Sequence, residues 1–131
     1  MIFEREQKAI TTFVNTFGGS FKKLDPQDVD YKIFDKQGNL IAYAEVNSII
    51  KTMRNAYPLS APAKKIVKLI DKRLPPVVIW YCEDGIIYGR PEVLVGEVKQ
   101  GGRPPREGTV SDIELMFYYD KQKALKYVRF L

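Results

Sequence analysis

Between Asp30 and Lys51 the chain runs through two stretches of strand-forming residues, separated by Lys36-Gln37-Gly38-Asn39, a composition suited to a hairpin turn. This reading as two antiparallel strands constrains the fold more than any other part of the sequence. Side chains alternate faces along a strand. Ile41, Tyr43, Glu45 and Asn47 therefore point one way, and Ala42, Ala44 and Val46 the other, where their small size suits a closely packed helix. Asp30 opens the first strand with Lys32 on its face, and a register that pairs the outer ends of the strands brings Asp30 beside Glu45. Taken alone, Asp30 is also explained as a solubilising charge at a strand edge. Glu45 is harder to explain that way, because it follows an apolar stretch that reads as a central strand, where a carboxylate demands a partner. Two carboxylates with a polar neighbour, Asn47, make a hard oxygen site suited to a divalent cation.

The flanking sequence predicts further elements. Phe3, Glu6, Ile10, Phe13, Val14 and Phe17 recur at helical spacing over 3–17, and Gly18-Gly19 end the helix. Glu6 is the odd member of that stripe: either a third acid aimed at the cation site, or a first-turn glutamate that reaches solvent. Residues 20–24 read as a short strand and Asp25-Pro26-Gln27-Asp28 as a turn. Residues 49–59 read as a loop or short helix. A second helix opens at Ser60-Ala61-Pro62, with Ala63, Ile66, Val67, Ile70 and Leu74 as its buried stripe. Lys65, Lys68 and Lys72 then fall on the outer face and Lys64 on the flank. Residues 77–82 and 86–88 form a hairpin around Glu83-Asp84-Gly85, Ile113 to Tyr119 reads as a strand, and Asp120 caps a final short helix.

The hairpin resembles the core motif of the PD-(D/E)XK nuclease superfamily, in which an Asp begins one strand and Glu-x-Lys lies on the next. Here the corresponding pieces are Val29-Asp30 and Glu45-Val46-Asn47, with Val29 in place of the family's proline and Asn47 in place of its lysine. The string Phe3-Glu4-Arg5-Glu6 resembles the first helix of archaeal Holliday-junction resolvases, where a helix Glu joins the active site. The helical face favours Glu6 for that role, although the string itself favours Glu4. The Gly101-Gly102-Arg103 loop and Ser111-Asp112-Ile113-Glu114 resemble the tails of phage-borne relatives.

The resemblance implies a restriction-endonuclease-like α+β (or α/β) fold. Its element order is α-β-β-β-α-β around a central mixed sheet flanked by helices, followed by a C-terminal strand-helix extension. One domain is expected over 1–131, with a core at about 1–90 and a C-terminal elaboration at about 91–131. The implied function is a Mg²⁺- or Mn²⁺-dependent DNA endonuclease or junction resolvase, working as a homodimer. Asp30, Glu45 and the Val46 carbonyl would hold the ion, with Glu6 ligating through water. Asn47 can hydrogen-bond a water but supplies no positive charge. A relocated lysine is then expected, in the order Lys64, Lys51, Lys32. The alternatives are a degenerate member of the fold that only binds nucleic acid or serves in an assembly, and an unrelated α+β interaction domain presenting the eight tyrosines and seven phenylalanines.

Composition narrows the chemistry. There is no histidine and one cysteine, Cys82, which excludes imidazole catalysis, a disulfide framework and His- or thiolate-based zinc sites. Any metal falls to carboxylates. The lone cysteine, the absence of a signal-peptide pattern and the absence of a long apolar run point to a cytoplasmic protein without a membrane partner, and the resemblance of the tail implies a virus-encoded one as an alternative to a cellular one. A net charge of +5 favours polyanions, DNA first. Lys32, Lys51, Arg54, Lys64, Arg103 and Arg106 are the expected contacts to DNA, whether duplex, branched or single-stranded. A rival literal Glu-x-Lys, Glu97-Val98-Lys99, with Glu92 or Asp84 upstream, reads more simply as an exposed charged strand end.

Overall fold

The computed structural model describes residues 2–25, 30–103 and 112–131. Val29 and Arg106 lie outside these, as do the side chains of Phe3 and Arg103. The protein is a mixed α+β structure with, among the described residues, two α-helices, α1 (Ile2–Asn15) and α2 (Ala63–Ile70). Its strands are β1 (Ser20–Lys23), β2 (Tyr31–Phe34), β3 (Leu40–Ser48), β4 (Leu59–Pro62), β5 (Pro76–Cys82), β6 (Gly85–Gly89), β7 (Gly96–Arg103), β8 (Asp112–Tyr119) and β9 (Lys126–Arg129). The central sheet has the order β1-β2-β3-β5-β6-β9, and only its β3–β5 pairing is parallel. A smaller antiparallel sheet has the order β4-β8-β7.

The β2–β3 hairpin forms as its sequence requires. The Asp35 carboxylate accepts the backbone N–H groups of Gln37 (3.0 Å) and Asn39 (2.9 Å), and Gly38 takes a φ of +87° that favours glycine. Gly18, at φ +72°, ends α1 just past its last turn. The two faces of β3 go where alternation puts them. Ala42, Ala44 and Val46 are buried with Ala9, Ile10, Phe13 and Val14 of α1. Tyr43 packs on the other face with Ile66 and Leu69 of α2 and with Trp80, whose indole N–H donates to the Ser60 carbonyl at 2.8 Å.

Three expectations are corrected. The segment after Asp120 is not a helix: it holds β9, which adds an edge strand beside β6. Tyr127, Val128 and Phe130 let it serve there, with Val128 and Phe130 joining the α1-side core. An additional strand, β4, lies between β3 and α2 and belongs to the smaller sheet. The buried stripe of α2 is rotated relative to its expected position. Ile66 and Leu69 are buried, while Val67 and Ile70 remain 60% and 44% exposed. Placing Leu69 rather than Ile70 inward turns the helix by about 100° per residue of offset, which moves Lys65, four residues before Leu69, from the outer face to the edge of the buried face.

This rotation makes a prediction for stability. Leu69→Ala should destabilise the protein by about 2–5 kcal/mol, the range for a truncated core leucine. Val67→Ala should stay within about 0.5 kcal/mol, as for an exposed site. Urea denaturation distinguishes them, and equal losses would contradict the helix orientation.

Candidate functional site

The site forms where β2 stops short of β3. Tyr31, the first residue of β2, lies opposite Ala44, and β3 continues to Ser48 paired with β5 on its other side. Asp30, just before β2, fills the step: its Oδ2 accepts the Val46 backbone N–H at 2.8 Å. This contact places the Asp30 carboxylate beside Glu45, and the two side chains share a hydrogen bond. The pair expected from the sequence is therefore assembled.

Glu45 is 1% exposed and is the buried charged residue among those described. Burial first, and the Asp30 carboxylate second, push its pKa up to about 8, against the opposing pull of Lys65. Near neutral pH the carboxyl accordingly retains a proton that it can donate to Asp30. Lys65 Nζ stands 3.3 Å from Glu45 Oε1. Burial lowers the pKa of the Lys65 ammonium, but the charges of Glu45 and Asp30 outweigh that effect and raise it. Glu45 Oε1 itself has no hydrogen-bond partner among the described residues, and neither does Nδ2 of Asn47, which lies on the same strand face.

A second cation approaches from the α1 side. Lys23, at the end of β1 opposite Tyr31, places Nζ 3.3 Å from Glu6 Oε2 and 3.7 Å from Asp30 Oδ1. The Tyr31 hydroxyl donates to Glu6 Oε2 at 3.3 Å, and its pKa is raised by burial and by Glu6. The Lys23 ammonium also lies 4.7 Å from the centre of the Tyr31 ring. Glu6 is thus tied to the cluster through Lys23 and Tyr31.

The expected lysines are not the ones that arrive. Lys64 is exposed on α2, and the lysine at the acids is its neighbour Lys65. Lys32 sits two residues from Asp30 opposite Tyr43, and Lys51 is exposed beyond the end of β3; neither forms an ion pair with the acids among the described residues. Arg54 lies in a short 3₁₀ turn, Met53–Asn55, away from the cluster. Arg106 and the Arg103 side chain lie outside the described residues. In the rival motif, Glu97 and Lys99 are exposed on β7 and pair loosely with each other at 3.8 Å. Cys82 is buried, and its thiol is pushed up to about 12 by burial and by Asp84, which leaves it unsuited to act as a nucleophile.

No protein-family model, curated protein or solved structure matches this chain.

The geometry bears directly on a divalent cation. Among the described residues, no group of three or more acidic, histidine or cysteine side chains is close enough together to hold a metal. Asp30 and Glu45 remain as an adjoining carboxyl pair, with Lys65 Nζ 3.3 Å from Glu45 Oε1. Mg²⁺ is commonly held by one or two carboxylates and keeps several waters, so the chemistry of this pair would suit it once Glu45 gives up its proton.

The raised Glu45 pKa predicts a pH effect. Its folded-state pKa lies above the unfolded value, so the folded state holds the extra proton. Stability of the metal-free protein is then lost as pH rises from about 4.5 to about 8. In paired melting curves, Glu45→Gln should flatten this decline relative to wild type. Parallel pH profiles would contradict the assignment.

Proposed function

We propose that this protein is a Mg²⁺- or Mn²⁺-dependent nuclease of the PD-(D/E)XK type. In this reading Lys65, arriving from α2, supplies the ammonium group that Asn47 lacks. The observation that carries the proposal is the approach of Lys65 Nζ to within 3.3 Å of a buried glutamate hydrogen-bonded to Asp30. The element order adds support: helix, three strands, helix, strand is obtained once β4, which joins the other sheet, is set aside. The net charge of +5 suits a DNA substrate.

Asp30 and Glu45, with the Val46 carbonyl, would hold the metal, which when bound supplies an activated water and charge neutralisation at the phosphate. The chain's own residues divide the remaining work. Asp30 is fixed by the Val46 N–H, so it needs no reorganisation when a ligand arrives. Lys65 offers a positive charge beside the acids, where charge develops on a phosphate oxygen during hydrolysis. Asn47 has a buried amide N–H without a partner among the described residues, available to orient a water or a phosphate oxygen. Glu6 sits behind Lys23 and Tyr31 and steadies the cluster from the α1 side.

A second reading is favoured by one specific observation. Lys23 and Lys65 already stand against the acids, and no cluster of three metal-capable side chains exists among the described residues. A module of the same fold that binds nucleic acid or serves in an assembly, without catalysis, would need nothing more.

Cleavage assays decide between the two. With Mg²⁺ or Mn²⁺ present, duplex, single-stranded and branched DNA should be tested against wild type, Asp30→Ala and Glu45→Ala, and both variants should be inactive. Lys65→Ala should lower the rate by about 10²- to 10³-fold, the usual loss on removing one transition-state donor, while Lys64→Ala should stay near wild type. Activity that survives loss of both acids would reject the site. Absence of cleavage together with absence of Mg²⁺ binding by calorimetry would favour the non-catalytic module. Light scattering with and without DNA tests the homodimer that the resemblance implies.

A further inference from the structure

Away from the carboxylates, a second constellation stands at the edge strand β9. Met53, Arg54, Tyr57, Lys121, Tyr127 and Arg129 line a concavity of about 430 Å³. Its three cations come from three separate segments: the 3₁₀ turn after β3, the loop after β8, and β9. Among the described residues, one acid is ion-paired with them. Asp84 Oδ2 lies 3.6 Å from Arg129 Nη1, while its Oδ1 accepts the Met53 backbone N–H at 2.8 Å. Arg54 and Lys121 form no ion pair among the described residues. Three positive charges against one negative leave an unneutralised excess of two, so the concavity favours an anion.

The aromatic pair sharpens the class of anion. The Tyr57 and Tyr127 hydroxyls hydrogen-bond each other, and this uses only one of their two protons. The second proton is free to be donated to an oxygen in the concavity. The same bond fixes the Tyr127 ring, which keeps 43% of its surface exposed. A fixed, exposed ring beside an excess of guanidinium and ammonium groups is the combination that binds single-stranded nucleic acid, whose phosphates meet the cations while a base stacks on the ring.

We propose that Arg54, Lys121 and Arg129, with the Tyr57–Tyr127 pair, form a docking site for one nucleotide unit of a single-stranded nucleic acid. The inference rests on the nucleic-acid part of the proposed function and not on its chemistry. Tyr127 pairs with Ile87, whose side chain lies on the same sheet face as Glu45's neighbour Val78. Three strand spacings across and four residues along the sheet, at about 4.8 and 3.3 Å each, put Arg129 about 20 Å from Glu45. A ligand group at one site does not touch the other, so the two sites can be altered independently.

The experiment uses the full chain without metal, in EDTA, and reads the fluorescence anisotropy of a labelled oligothymidylate across a salt series. Arg54→Ala and Lys121→Ala should each weaken binding and lower the slope of log K against log salt by about 0.7, the value for one lost phosphate contact on a single strand. Tyr127→Ala should weaken binding by about 10-fold, within the range for loss of one stacked base, and Tyr127→Phe should recover most of it. Lys36→Ala, at the hairpin tip, removes the same charge elsewhere and should change nothing.

Wild type that does not bind the oligonucleotide, or pocket variants that bind like wild type, would overturn the proposal. So would inorganic phosphate or a mononucleotide binding as tightly as the oligonucleotide, which would mark a small-anion site, or duplex bound equally well with Tyr127→Ala silent. Asp30→Ala separates the two proposals. Loss of binding in the pocket variants, with no cleavage by any protein, keeps this site and removes the nuclease. Cleavage that needs Asp30 while the pocket variants bind normally does the reverse.

Discussion

A carboxyl group buried at Glu45 is the constraint around which the rest of the molecule is arranged. A glutamate removed from water is costly unless something answers its charge or supplies a proton. Here both occur: Asp30 shares a hydrogen bond with it, and Lys65 approaches from α2. Each partner depends on a separate piece of architecture. Asp30 is placed because β2 begins only at Tyr31, opposite Ala44, and leaves the Val46 N–H to be capped, and Lys65 because α2 turns Leu69 inward. The site is therefore a product of strand length and helix rotation as much as of residue identity.

The hairpin was legible in the sequence because its signals are local. Alternation, a Gly38 turn and the small residues facing α1 all act within a few positions, and the structure follows them. Asp30 and Glu45 were legible for the same reason, since their meeting requires only a register. Lys65 was not, because its direction depends on which of two neighbouring apolar residues of α2 faces the core. Apolar residues at 63, 66, 67, 69 and 70 allow two stripes, and the choice is made by the tertiary fit to Trp80 and Tyr43. Lys23 carried a usable signal as well: antiparallel pairing of β1 with β2 places it opposite Tyr31 and beside Asp30.

The C-terminal region was misread for a related reason. Residues after Asp120 alternate too briefly to separate strand from helix, and what decides is the open edge of β6 that β9 covers. Likewise β4 has four residues and includes Pro62, and it is a strand because β8 lies alongside it. Short elements of this kind owe their form to distant partners.

The pairing of β4 with β8 also bears on how the chain reaches this state during synthesis. Leu59–Pro62 leaves the ribosome well before Asp112–Tyr119, and until the later strand arrives its backbone groups face water or another chain. The same holds for the outer edge of β6, which waits for β9. A nascent chain is exposed to association with its neighbours at these two edges until β8 and β9 dock on them.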